Sequence, residues 1–550
     1  MKNRSLLYSV FLLVAAWGFE KVQAQDTTRR QPRTVQVTST FKPVLKDAAK
    51  INFNATPPVA DTSRPRLKYD VPNQNLLFAY QPGSLKPLAL SIDTAGYFIN
   101  HNYVKLGYGS LRTPYLEAGL SMGDGKTAGL NLYANHISSQ GKIQFQDFSN
   151  TAVDATAFYQ ASNNLEWSGR IGGKQERYNK YGFEPKELTF PEDSLAVKFQ
   201  TWRGRIGVRN INRTDLGLSF APDVRIDVFN DRLGNSESNT NLRLPLQKTL
   251  GTDFAVDVTA EANLSTYKPD AKESIGNNYF SVAPTVIYRT ANISIHAGIK
   301  PSWDNKEFKL FPNVMAEFGT SDNRFSIQAG WIGYLRNAGY QYMAGYNPYI
   351  WAPETVYNTR IEERYAGFKG SAGDHLTYSA KAGFHKWNNQ PLFLNDTASG
   401  KSFVVVRESQ LKVLHIGGEV GYTVGDKFSL TSGLTFNQFN SLKDNEKAWG
   451  LIPLEWRTSL RLQVLRDLYV KSDLYAFDGP RFLEKDGSGG NLKGALDLNA
   501  GLEFKIVKNI CLWAQFNNIF NMQYQRWHQY PVYPFSFIGG VVFSFDQNTR

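Results

Sequence analysis

The 550-residue sequence holds a single cysteine, Cys511, so no internal disulfide framework can brace it. Its seven histidines are dispersed. Neither an H-E-x-x-H motif nor a Cys/His zinc cluster occurs, and there is no G-x-S-x-G elbow. "GDGKTAG" at 123–129 looks like a phosphate loop, but the glycine required five places before Gly125 is replaced by Leu120. An enzyme is therefore not expected, nor is any cofactor, catalytic group or metal. Beyond the N-terminus no apolar run is long enough for a spanning helix. Mean hydropathy is low, −0.38. Net charge is +12, and no nucleic-acid partner is expected.

Against these absences stand aromatics, at 14% of the chain, and an export signal. "MKNRSLLYSVFLLVAAWGFEKVQA" has Lys2 and Arg4, an apolar stretch from Leu6 to Phe19, and a small-x-small ending at Val22-Gln23-Ala24. Residues 1–24 read as a cleaved signal peptide. No cysteine lies near the cleavage point, which excludes a lipoprotein. Residues 25–99 differ in composition. They hold eight prolines, Pro32 to Pro87, and basic groups from Arg29 to Lys68. Proline at this density forbids regular helix and most central strands. This segment reads as a periplasmic or lumenal arm. Its alternating "VQVTSTFKPVL" and apolar "NLLFAY" could add to a partner's sheet edge or fold into a lumen.

From about Tyr103 to Phe545 one unit recurs: a strand of roughly ten residues, a turn signal, and another strand. Val104, Leu106 and Tyr108 alternate with Lys105, Gly107 and Gly109. Leu116, Ala118, Leu120 and Met122 alternate with Glu117, Gly119 and Ser121. Ile452, Leu454, Trp456, Leu460, Leu462 and Val464 oppose Glu455, Arg457, Ser459, Arg461 and Gln463. The closing stripe of Phe535, Phe537, Val541, Phe543 and Phe545 has one parity. Short connections such as Gly123-Asp124-Gly125, Gly251-Thr252-Asp253, Ser321-Asp322-Asn323, Arg466-Asp467 and Lys508-Asn509 alternate with long ones, about 177–198, 337–358, 440–449, 479–493 and 522–533. In lipid every backbone polar group must be paired, so without a spanning helix only a closed barrel can cross. The reading is an all-β chain: a transmembrane antiparallel β-barrel of about 22 strands over residues 100–550, preceded by the short Pro-rich arm. Trp167, Trp303, Trp331, Tyr334 and Trp387 are assigned to the interfacial girdle.

The polar parity carries both signs of charge. Candidate lumen-lining charges are Arg170, Arg203, Arg205, Asp223 and Arg225, and, in a second set, Arg457, Arg461, Lys471 and Asp473. They could form a selectivity surface, or pair with one another to hold the barrel's shape.

"FNNIFNMQYQRWHQYPVYPFSFIGGVVFSF" resembles the C-terminal two strands of TonB-dependent receptor barrels, through Asn518-Ile519-Phe520-Asn521, Tyr524, Gly539, Gly540 and Phe545. "NPYIWAPETVYNTRIEERYAGFKG" at 347–370 is similar to a receptor loop entering its next strand. The resemblance implies a 22-strand outer-membrane barrel in a Gram-negative envelope. The chain departs from the family in two ways. Asp546 to Arg550 follow the terminal aromatic, and the arm is too short for a plug domain. The chain looks like a plugless relative of Bacteroidota type. The function so implied is a solute channel or receptor-like, porin-like transporter, its solute unidentified. The alternative is a structural or assembly partner of an envelope complex, docking through arm and loops. The partners expected are outer-membrane lipid and other envelope proteins. A barrel this wide needs an occluder: the arm, inward-folded loops or a separate protein. Part of 70–99 is expected at the periplasmic mouth or inside the barrel.

Overall fold

The computed structural model describes residues 99–548, except 184–187, 323, 397–398 and 485–486. The signal peptide and all of the arm but its last residue lie outside the described residues, and so does the expected position of 70–99.

The described chain forms one antiparallel sheet that closes on itself. The first strand, Ile99–Gly109, pairs with the last, Ser536–Asn548, in continuous register from Ile99↔Asn548 to Gly109↔Ile538. Of 24 strand segments, two are short continuations of the segment that follows, Leu218–Phe220 with Asp223–Asp231 and Ile275–Gly276 with Tyr279–Arg289. The first break falls at Pro222, which has no N–H to donate to a ladder. The barrel therefore has 22 strands. Among the described residues no helix is long and apolar enough to cross a membrane.

The two faces follow the sequence alternation. Leu106, Tyr108, Trp167, Ile171, Trp202, Ile206, Phe384, Val464 and Phe543 are exposed on the outer wall. Lys105, Glu117, Ser265, Ser302 and Glu363 are buried on the inner one. An exposed apolar surface of this extent is untenable in water and is what a bilayer requires. Inside, polar side chains satisfy one another. Arg209 grips Glu166 through two bonds of 2.8 and 2.7 Å. Lys381 and Tyr334 both donate to Glu363, at 3.1 and 2.7 Å.

Three placements differ from the sequence reading. Tyr334 is not in the outer girdle: its hydroxyl bonds to buried Glu363 in the lumen. Trp387 is also interior, packed against the loop core and 6.0 Å from the Arg336 guanidinium. Each lies three residues beyond an outward aromatic of its own strand, Trp331 and Phe384, so the period-two alternation turns both toward the lumen. Ile452 lies ahead of its strand, which begins at Leu454, and is buried with Phe477, Tyr524 and Val532. Pro453 separates the two. Trp167, Trp303 and Trp331 are exposed on the outer wall.

The rims differ. One carries both described termini and short turns, such as Gly425–Lys427 and Arg466-Asp467. In the turn after Gly123, the Asp124 carboxylate accepts from the backbone N–H of Lys126, Thr127 and Ala128 at 2.7–2.9 Å. Gly123 itself has φ +115°, a conformation open to glycine. The opposite rim carries connections 180–195, 339–356, 389–410, 441–453, 478–494 and 518–535. The connection 389–410 was not among those expected to be long. It holds its own hairpin, Gln390–Asn395 with Phe403–Glu408. By the rule that outer-membrane barrels turn tightly in the periplasm, a cysteine at Lys493 is expected to react with an impermeant maleimide on intact cells. One at Asp322 is expected to react only after permeabilisation. The reverse pattern would invert the orientation.

Candidate functional site: a loop cap over a lumenal chamber

The long connections do not splay outward. They interlock across the mouth in one aromatic core. The loop 339–356 contributes Tyr346, Tyr349 and Ile350; the 389–410 hairpin contributes Leu392, Phe393 and Phe403; 441–453 contributes Trp449 and Leu451; and 518–535 contributes Trp527 and Tyr530. Tyr349 stacks on Tyr530 with centroids 3.7 Å apart. Tyr346 stacks on Phe393 at 4.8 Å, and Trp527 packs edge-on to Tyr346, Phe393 and Phe403 at 5.7, 5.4 and 5.2 Å. Polar bonds lock the loops together. Arg526 and Tyr346 donate to the Gly450 carbonyl at 2.9 and 3.2 Å, and Tyr181 to that of Pro531 at 2.9 Å. Gly450 has φ +75°, and a Cβ there would lie 2.9 Å from the Trp527 ring.

The short helix Tyr340–Tyr346 carries the cap across the lumen. Tyr340 donates to Asp231 at 2.7 Å and packs 5.3 Å from Phe229 and 5.5 Å from Tyr267. Gln341 N–H donates to Glu237 at 3.1 Å. These partners stand at the loop-side ends of Asp223–Asp231, Ser236–Leu250 and Phe254–Lys268, several strands from the helix's own anchors. The occluder visible among the described residues is thus the loop set.

A second lock is the Glu408 carboxylate, fully buried at the end of the hairpin. It accepts from the backbone N–H of Gln410, Lys443, Asp444 and Asn445 at 3.1, 2.8, 3.2 and 2.9 Å, and from the Asn445 amide at 3.0 Å. Burial opposes its ionisation, but the bonds from Asn445, Lys443, Gln410 and Asp444 outweigh it and hold the carboxyl below the usual glutamate range. A depressed folded pKa gives stability that is present above the unfolded value and lost as pH falls through the folded one. The 441–447 segment is therefore expected to become protease-sensitive on acidification. Glu408→Ala should produce the same sensitivity at neutral pH, read by limited proteolysis on intact cells.

Beneath the helix lies a cavity of about 580 Å³. Its wall carries Lys174, Arg203 and Arg225 against Glu176, Asp227 and Glu237, which balance in formal charge. Lys174 pairs with Glu176 at 2.8 Å and Arg225 with Asp227 at 2.7 Å. Between them stand five amides, Asn239, Asn241, Asn263, Asn337 and Gln341. Asn337 donates to Asn239 at 2.7 Å and to Asn263 at 3.1 Å, and Asn239 donates to Glu237 at 2.6 Å. Phe199, Phe229 and Tyr342 supply apolar faces.

Of the candidate charges read from sequence, only Arg203 and Arg225 line this chamber. Arg170 pairs with Asp154 at 2.7 Å and Arg205 with Asp223 at 3.4 Å on nearby wall. The second set lies elsewhere on the wall. Arg457 pairs with Glu455 at 3.3 Å, Arg461 lies over Tyr469, Lys471 pairs with Glu503, and Asp473 accepts from Ser459 at 2.6 Å. The amides were missed. The available signal was the inward parity of Asn239 and Asn241 in "SESNTNLRL". Inward-folded loops were one of the three occluders considered, but their interlocking residues were not named, although "YQYMAGYNPYIW" and "QYQRWHQYPVYP" are dense in aromatics for surface loops. Among the described residues no cluster of three or more His, Cys, Asp or Glu could hold a metal.

A closed sheet of 22 antiparallel strands, apolar outside and polar within, defines a large transmembrane β-barrel of outer-membrane type. Solved structures share this fold. The chain is similar to the FrpB iron transporter from Neisseria meningitidis (F3-3 variant), with a TM-score of 0.60 at 12% identity over 81% of each chain. It is also similar to a point mutant of the ferric enterobactin receptor PfeA from Pseudomonas aeruginosa, at 0.59 and 11% over 82% of this chain and 81% of that one. The siderophore receptor PirA from Acinetobacter baumannii gives 0.60 and 10% over 81% and 80%. No family model matches the sequence, and no curated protein matches it.

Proposed function

We propose that the protein is an outer-membrane, receptor-like transporter whose loop cap closes the lumen from outside and whose chamber takes an uncharged polar solute. The observation that carries this reading is the chamber beneath the interlocked loops. Three bases matched by three acids leave no net formal charge to favour an ion. Five amides offer donors and acceptors side by side, which suits hydroxyl or amide groups, and the aromatic faces suit a sugar ring or peptide plane. The likeness to iron and siderophore receptors supports the receptor-like barrel, and the chamber's chemistry argues the solute class. In this reading the long-loop rim is extracellular, residues 1–24 are removed on export, and residues 25–99 form the periplasmic arm. The chain works without a plug, because the cap supplies the seal. The paired charges from Arg170 to Asp473 hold the wall.

The test is calorimetric titration of the purified barrel with neutral oligosaccharides and peptides beside charged analogues. Asn239→Ala and Asn337→Ala should each weaken binding of the neutral solute about 5-fold, the worth of one hydrogen bond. If no neutral solute binds and an envelope protein co-purifies in fixed ratio, the chain is the assembly partner instead.

A further inference from the structure

The outer wall should be uncharged wherever it meets lipid, yet one sector of it is basic. In the strand Leu376–Asn388 the outward residues Tyr378, Ala380, Ala382 and Phe384 are apolar, and Phe384 is 71% exposed. The next outward residue is Lys386. In Leu411–Val424 the outward residues Tyr422, Val420, Ile416 and Leu414 are likewise followed by Lys412. The ladder sets Lys386 directly opposite Lys412. Both are exposed. Like charges directly opposite on one face are destabilising, with Cβ atoms only about 5 Å apart. The one acid in register, Glu362, lies opposite Lys386 on the same outward face but reaches toward the neighbouring strand Phe325–Ala338. It accepts from the Trp331 indole at 2.8 Å and from Arg364 at 3.0 Å. Among the described residues, no carboxylate lies within ion-pair distance of either lysine. Snorkelling explains one long cation at an interface, but not two placed face to face with their neighbouring acid diverted.

A second sector repeats the pattern. Arg177 and Lys198 face outward, directly opposite one another, at the same long-loop rim of Leu165–Asn179 and Ala196–Asn210.

We propose that Lys386 and Lys412 form a binding site on the barrel's outer wall for the phosphate groups of an anionic lipid in the extracellular leaflet. The row sits where the apolar band ends, at headgroup height. A phosphate between the two ammonium groups removes their repulsion and gains charge-assisted hydrogen bonds. Acyl chains of the same lipid lie along Phe384 and Ile416. The extracellular placement rests on the orientation proposed above, which cysteine labelling decides separately.

The full chain, purified in a neutral detergent, is titrated with lipid A carrying two phosphates and bound lipid is counted by native mass spectrometry. Wild type should retain it, and dephosphorylated lipid A and inorganic phosphate should compete poorly. Lys386→Gln/Lys412→Gln should bind about 30-fold more weakly, from roughly one kilocalorie per mole for each basic residue. Lys447→Gln, in the neighbouring loop, should match wild type. Unchanged heat-modifiable mobility of the double variant verifies that its barrel is folded. Equal retention by the double variant overturns the proposal. So does equal binding of dephosphorylated lipid, or displacement by inorganic phosphate at equal concentration. If labelling places this rim in the periplasm, the orientation fails first and the two outcomes remain distinct.

Discussion

Replacing Trp527 and Tyr530 together with alanine opens the cap and raises single-channel conductance. Trp527 is buried against Tyr346, Phe393 and Phe403, and Tyr530 against Tyr349 and Tyr181. Truncating a buried aromatic of this size costs about 3–5 kcal/mol, and the two sites share partners, so their effects will not simply add. The cost falls on loops, while the ladder below keeps its backbone bonds. Local opening of the cap is therefore the expected response, with the barrel intact. Gly450→Ala should act in the same direction, because its Cβ would strike the Trp527 ring and its φ is +75°. Planar-bilayer recording and sensitivity to bulky antibiotics read the outcome. Deleting residues 36–99 separates the cap from the arm. If that deletion alone opens the pore and the double alanine variant stays closed, the arm is the seal and the cap is not.

Val541→Arg prevents insertion of the barrel. Val541 is directly opposite Leu106 on one side and Leu512 on the other, on the outward face of the seam where the chain's two ends close the sheet. Arginine at the midplane of a lipid-facing strand costs about 2–4 kcal/mol, less near the interfaces. Phe543→Arg, two residues nearer the short-turn rim, should be milder than Val541→Arg. Ser544→Arg, on the lumenal parity, should be milder still. The folded fraction, read by heat-modifiable mobility of outer-membrane preparations, ranks the three. Equal yields for Val541→Arg and Ser544→Arg would sink the facing assignment.

Alternation and turn chemistry determined the barrel from sequence alone. Side chains in a strand have period two, so Leu106 and Lys105 cannot share a face, and the low overall hydropathy conceals a continuous apolar wall. Connection lengths separated the two rims for the same local reason: Arg466-Asp467 can only be a hairpin turn, whereas 339–356 cannot be one. The tertiary structure decided what fills the mouth. Whether an aromatic loop such as 518–535 reaches solvent, lipid or another loop depends on which strands stand beside it, and Tyr349 meets Tyr530 only after the sheet has closed. Tyr334 and Trp387 were misplaced because nearness to a strand end was weighed and parity was not: each lies three residues beyond an outward aromatic, Trp331 and Phe384, and so faces the lumen. The chamber's amides, Asn239, Asn263 and Asn337, come from three strands. They converge because closure of the sheet brings their inward faces beneath one helix, a long-range condition that no local pattern encodes.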